Sequence, residues 1–186
     1  MKEKQQRPGG RAEHVRQAVL TSAQELYVPG KNLPSLTDIA SRAGVQRTTL
    51  YRRWGSTEAV LLDAVGDHIQ KAIVVPNKGT LPKDLTALAR ATHDFHNSER
   101  GKDIVAMLLG APDNVKQSYW QERYLALEKI FDRAVTRKEI APQENWKFYL
   151  DLFIAPWYFC SWAKAEPWLP ESAEQTIQLI CSSLLL

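Results

Sequence analysis

Cysteine, histidine and long apolar runs are scarce in this chain, and each scarcity removes a class of function. The 2 cysteines among 186 residues, Cys160 and Cys181, are too few for a disulfide framework and do not stand at metal-ligand spacing. They read as buried free thiols, with a redox sensor as the alternative. Of the 4 histidines, His93 and His96 can share a helix face, but a metal needs a third ligand that the sequence does not supply. No nucleophile elbow, glycine-rich phosphate loop, dinucleotide fingerprint or paired metal-binding histidine motif occurs, which argues against an enzyme and gives a cofactor nothing to serve. The longest uncharged apolar run, residues 152–163, is shorter than the roughly 20 residues that span a bilayer. A polar N-terminus without an apolar signal core places the expected protein in the cytoplasm. Strand alternation and internal repeats are also missing.

What is present is a soluble helical pattern with uneven charge. Hydrophobic residues make up 44% and charged residues 24%, a balance that builds a core and is neither that of a disordered chain nor that of a membrane protein. The net charge is +3, and it is concentrated at one end: 10 Lys and Arg stand against 6 Asp and Glu in residues 1–66, and 14 against 15 in the remainder. That division suits a module that approaches phosphates joined to one that does not. The expected domains are residues 1–70 and residues 71–186.

Residues 35–54, SLTDIASRAGVQRTTLYRRW, carry the strongest signal. Ser35 and Asp38 can form a capping box worth about 1 kcal/mol. Gly44 can take positive φ, ending the first helix and turning the chain into a second from Gln46 to Arg53. Ala40 lets the two helices approach, and Val45 and Leu50 close the corner. Gln46, Arg47, Thr48, Thr49, Tyr51, Arg52 and Arg53 are left as a polar face. Arg reads guanine and Gln reads adenine through two hydrogen bonds, while hydroxyls reach phosphates. A helical hairpin with a basic outer face is the other reading of the same spacing.

The stretch SLTDIASRAGVQRTTLYRRWGSTEAVLLDAV resembles the DNA-binding domain of the TetR family of bacterial repressors. Ala43, Gly44, Val45, Thr49, Leu50, Tyr51 and Trp54 match its pattern position by position. Two departures stand out: Gln46 takes the place of a frequent Ser cap, and Thr57 that of a frequent phosphate-binding Lys. Gln caps poorly, and one lost phosphate charge should weaken binding and flatten its salt dependence by about one ion.

Around this stretch the pattern is helical throughout. Residues 1–11, with Lys2, Lys4, Arg7 and Arg11, are expected as a basic arm, either solvated or ordered on DNA through Arg11. A helix over residues 12–27 follows, ended by Pro29 and Gly30, and another from Ser56 towards Val74 whose tilt is a lever between the halves. The second half gives helices over residues 81–96, 104–109, 112–138 and 143–163, the last with a kink at Pro156. A final helix opens at Pro170 with the stripe Ala173, Ile177, Ile180, Cys181 and Leu184. Ala155-Pro156-Trp157-Tyr158-Phe159 resembles, more loosely, a segment of one TetR subgroup, which implies a homodimer through the last two helices; a terminal helix with a full apolar stripe needs a cover.

Together these readings give an all-α protein of about nine helices: an N-terminal three-helix helix-turn-helix domain and a C-terminal ligand-binding and dimerisation domain. The expected function is a ligand-responsive repressor on a near-palindromic double-stranded DNA operator. Arg47, Thr48 and Arg52 are expected to read bases, with Thr37, Tyr51 and Trp54 on phosphates. Five of the 6 Trp lie in the second half, and Trp120, Tyr124, Phe153 and Trp157 are the expected lining for a small apolar or aromatic effector. A protein-interaction module with a degenerate head, or a constitutive regulator whose aromatic residues are all core, are the alternatives.

Overall fold

The computed structural model describes residues 8–28, 31–142, 145–164, 166 and 169–184. Residues 1–7 of the expected arm and the Pro29-Gly30 stop lie outside them. Among the described residues the chain forms nine α-helices and one π-turn and is all-α. It divides into two compact units, residues 1–68 with 106–119 and residues 69–105 with 120–186.

The first unit holds α1 (Pro8–Leu26), α2 (Leu36–Ala43), α3 (Arg47–Arg53) and most of α4 (Thr57–Ala72). α1 begins four residues earlier than expected, so Arg11 sits exposed on a helix and not in an arm. Pro8 explains the extension: its fixed φ and missing N–H suit a first helical position, which offsets the entropy cost of Gly9 and Gly10. Val19, Leu20 and Ala23 of α1 are buried, as are Leu36, Ile39 and Ala40 of α2 and Val60, Leu61, Ala64 and Val65 of α4. Each large side chain removed from water this way contributes about 1.5–3 kcal/mol.

The end of α6 (Glu99–Gly110) and the start of α7 (Asp113–Thr136) complete this unit. The sequence reading put all of residues 71–186 elsewhere. The corner between the two helices is drawn in by Tyr27, whose hydroxyl donates to the Met107 carbonyl at 3.5 Å. Gly110 makes the approach possible, since a Cβ there would stand on the Tyr27 hydroxyl.

The second unit is organised around α5 (Leu81–Asn97), which packs on α9 (Pro170–Leu184); α9 also meets α8 (Trp146–Tyr158). Thr80 caps α5 by accepting from the Lys83 N–H at 3.4 Å, and Glu139 accepts from the Leu81 N–H at 2.6 Å. Fully buried Asp84 accepts from the Lys78 N–H and pairs with Arg137 at 3.4 Å. A buried carboxylate is tolerable only with such partners.

The last helices add two features. α8 runs through Pro156 and then widens into a π-turn at Phe159–Lys164, with the Phe159 N–H shared between the Ala155 and Pro156 carbonyls. Proline has no N–H to give the preceding turn, so the ladder loses a rung and the coil widens one turn on. The α9 stripe of Ala173, Ile177, Ile180, Cys181 and Leu184 is buried within the protomer. α5 supplies the cover that the sequence argument assigned to a second copy.

Candidate nucleic-acid interface

The helix-turn-helix forms by local chemistry. Ser35 Oγ accepts from the Asp38 N–H at 3.1 Å, and the Asp38 carboxylate accepts from the Ser35 N–H at 3.4 Å and from its hydroxyl at 2.6 Å. Two orphan donors of α2 are thereby satisfied. Gly44 adopts φ 65 and ψ 30, and the Gly44 and Val45 N–H groups donate to the Ser41 and Ala40 carbonyls at 3.3 and 3.0 Å. This is the Schellman arrangement, which needs a left-handed residue at the turn. Gln46 stands at the N-cap of α3 without a side-chain hydrogen bond, as its chemistry leads one to expect.

Leu50 is the one fully buried side chain of α3. Thr49 is half-buried, while Gln46, Arg47, Thr48, Tyr51, Arg52 and Arg53 are exposed, as is Thr37 on α2. Arg47 lies over the Tyr51 ring, 5.1 Å from its centroid, and donates to the Tyr51 hydroxyl at 3.4 Å. Among the described residues no carboxylate pairs with Arg47 or Arg52. Arg53 is committed differently: it covers the Trp54 ring at 4.8 Å and donates to the Ala12 carbonyl at 3.2 Å. Arg42 is paired with Glu25 at 2.7 Å.

Trp54, expected on a phosphate, is half-buried, and its indole N–H donates to Asp63 at 2.9 Å. Thr57, which stands where a Lys is frequent, ties the start of α4 to the Pro34 carbonyl at 3.0 Å. The sequence reading missed the group beneath them. Arg16 of α1 binds Asp63 through Nη2 at 2.5 Å and Nε at 3.2 Å, Asp67 at 2.9 Å and Glu13 at 3.0 Å. Hydrogen bonding to Asp63, opposed by burial and helped by Asp67, raises the Arg16 pKa further. Asp63 and Asp67 stand one turn apart on α4, and like charges at that spacing require a cation; that was the available signal.

In the second unit, three of the four residues expected around an effector, Trp120, Tyr124 and Trp157, belong to a chain of ring contacts. Trp120 meets Tyr124 at 5.8 Å and Tyr158 at 5.6 Å, and His96 meets Trp157 at 6.0 Å and Tyr158 at 5.4 Å. Trp120 and Tyr124 are half-buried, whereas Phe153 and Trp157 are 2% and 1% exposed, so only the first two offer surface to a solute. Tyr124 donates to the Asp151 carboxylate, and burial together with that bond pushes its pKa up to about 12. A groove of about 700 Å³ is lined by Lys78, Lys83, Thr86, Ala87 and Arg90, and by none of these four. Cys160 and Cys181 are free and buried, and burial and the charge of Glu139 hold the Cys181 thiol at about 11, a protonated and unreactive state.

Burial, assisted by the nearby His93, holds the His96 imidazole at about 4, against an ordinary 6.5. Below pH 6.5 the unfolded chain therefore binds a proton that the folded chain refuses until about pH 4. Stability contributed by neutral His96 is present above 6.5 and is lost as pH falls through that window. We expect urea unfolding at pH 7 and at pH 5 to show a loss about 2 kcal/mol larger in the natural protein than in His96→Phe. Equal losses would show that His96 titrates freely.

The family described as "Bacterial regulatory proteins, tetR family" matches residues 34–64, and "Tetracyclin repressor-like, C-terminal domain" matches residues 75–180. The HTH-type transcriptional regulator AqdR of Rhodococcus erythropolis is 28% identical over 108 residues, covering 55% of this chain and 52% of AqdR. The chain thus spans about half the length of that relative. The uncharacterized HTH-type transcriptional regulator YdeS of Bacillus subtilis is 24% identical over 167 residues, covering 86% of this chain and 83% of YdeS. The crystal structure of the TetR family regulator SCO0332 shares the fold, with a TM-score of 0.72 at 22% identity over 93% of this chain and all of that one. No helix among the described residues is long and apolar enough to cross a membrane. On the strength of both matched domains and the common fold, the chain belongs to the TetR family of helix-turn-helix transcriptional regulators.

Proposed function

We propose that this protein is a cytoplasmic dimeric repressor whose two α3 helices enter successive major grooves of a near-palindromic operator. The observation that carries the reading is the state of α3: Leu50 alone is fully buried, while Arg47, Thr48 and Arg52 are exposed and the two arginines have no carboxylate partner among the described residues. Such guanidinium groups are free to bind guanine edges. Thr37 and Tyr51 are proposed phosphate contacts, and Arg11 a further one from α1. Two heads on one face of B-DNA stand about 34 Å apart, one helical turn.

Dimerisation is proposed through α8 and α9. Phe148, Leu152 and Phe159 are 62%, 41% and 58% exposed, and Leu179 is 64% exposed. Large apolar side chains exposed on α8, on the π-turn after it and on α9 are what a second copy covers. The half-exposed Trp120 and Tyr124 support a small aromatic effector that enters beside them and releases the operator. Such a molecule must prefer the DNA-incompetent dimer by about 1–3 kcal/mol. Deep burial of Phe153 and Trp157 favours instead a constitutive regulator, in which the cluster is core.

Selection of bound sites from a random duplex library at two salt concentrations tests the first claim. We expect an enriched inverted repeat whose affinity falls steeply with salt. Weak, salt-sensitive binding with no enriched sequence would replace the repressor reading with a protein-interaction module.

A further inference from the structure

α3 is short and has one fully buried side chain, so Leu50 fixes its distance from the core but leaves it free to roll about its own axis. Roll decides which side chains face the bases, and hydrogen bonds to base edges are lost over a few tenths of an ångström. Something else must set it. Trp54 is the C-cap of α3, its backbone N–H donating to the Leu50 carbonyl at 2.8 Å. Its indole N–H meets Asp63 Oδ2 at 2.9 Å, and Arg16 Nε meets the same oxygen at 3.2 Å while Nη2 takes Oδ1 at 2.5 Å. Both carboxylate oxygens are therefore engaged, and the group cannot turn without breaking a charge-assisted bond. Arg16 is itself held by Asp67 and Glu13. Arg53 covers the indole ring and is tied to the Ala12 carbonyl.

We propose that Trp54, Asp63 and Arg16 are positioning residues that set the roll of α3, and through it the discrimination between operator and unrelated DNA, without touching DNA themselves. The inference rests on the operator-binding reading above. Trp54 here takes the role of an internal stay and not of a phosphate contact.

The test uses the full chain with Trp54→Phe, which keeps the ring and removes the donor, and Asp63→Asn, which keeps the shape and removes the charge. Each variant is expected to bind the selected operator about tenfold more weakly, a single distorted base contact. Binding to unrelated duplex and the salt slope should be unchanged in Trp54→Phe, which leaves Arg16 and Asp63 joined. The double variant should be no weaker than either single one, because both changes break one linkage. In the free protein the indole ¹⁵N–¹H resonance of Trp54 should move in Asp63→Asn. Equal losses on operator and unrelated DNA, additive losses, or undiminished operator binding would each overturn the inference. An unmoved indole resonance overturns it alone, even where an operator is found. A natural protein that selects no operator removes the operator reading and this inference with it, while a moved resonance would still uphold the Trp54 to Asp63 bond.

Discussion

Arg47→Ala combined with Arg52→Ala is expected to lower operator affinity by about 10³-fold or more, since a well-placed arginine on a guanine is worth about 1–3 kcal/mol and each dimer loses the pair twice, about 4 kcal/mol at the least. Both side chains are exposed and free of carboxylate partners among the described residues, so helix content and unfolding should not change. Arg47 also covers Tyr51, and its removal frees that ring to move, which adds to the loss. Lys83→Ala, a cation of the second unit, is the control and should leave affinity within about twofold, as an exposed side chain away from the DNA. The pattern of the loss separates two roles. A base-reading arginine relaxes selectivity at one position of the site, while a phosphate-binding one weakens all sequences and reduces the salt slope by about one. Unchanged operator binding in the double variant would end the claim that α3 reads DNA.

Leu152→Glu with Leu179→Glu is expected to give a folded monomer with operator affinity lower by about 10²- to 10⁴-fold, the advantage of two linked half-sites over one. An interface of the permanent kind buries about 2,000 Å² or more, and a carboxylate on each of its two helices leaves four unpaired charges at its centre. Leu152 and Leu179 are 41% and 64% exposed, so their replacement leaves the core of the protomer intact. Sedimentation measures the first outcome and titration of labelled operator the second. A variant that remains dimeric would move the interface off α8 and α9; one that is monomeric yet binds the full site as tightly would show that one head suffices.

What residues 35–54 do was legible because every feature acts over a few positions. The Ser35 and Asp38 cap, the left-handed Gly44, the buried Leu50 and the weak Gln46 cap are each set by side chains reaching their own backbone within four residues. Helix order and the polar face of α3 follow from the same short range. The family pattern strengthened this because it is ungapped across the motif. Boundaries were less legible: α1 starts at Pro8 and α6 is twelve residues long, from Glu99, where periodicity alone located only its apolar piece.

The sequence by itself determined the helices, the turn, the polar recognition face and the class of partner it suits, all consequences of local hydrogen bonding and of the 3.6-residue period. Tertiary structure alone decided which polar groups are spent within the protein and which remain exposed. Trp54 and Arg53 match the look of contacts, but one is bound to Asp63 and the other to Ala12. The α9 stripe looked like an interface, but α5 covers it, and Leu179 is the large apolar side chain of α9 left exposed among the described residues. The corner at Gly110 groups with the first unit, where the Tyr27 hydroxyl, more than eighty residues away in the chain, meets it. In each case the deciding partner lies beyond the reach of a helical repeat, and a hydrogen bond or an apolar contact at that range carries no periodic signature by which sequence spacing could name its other half.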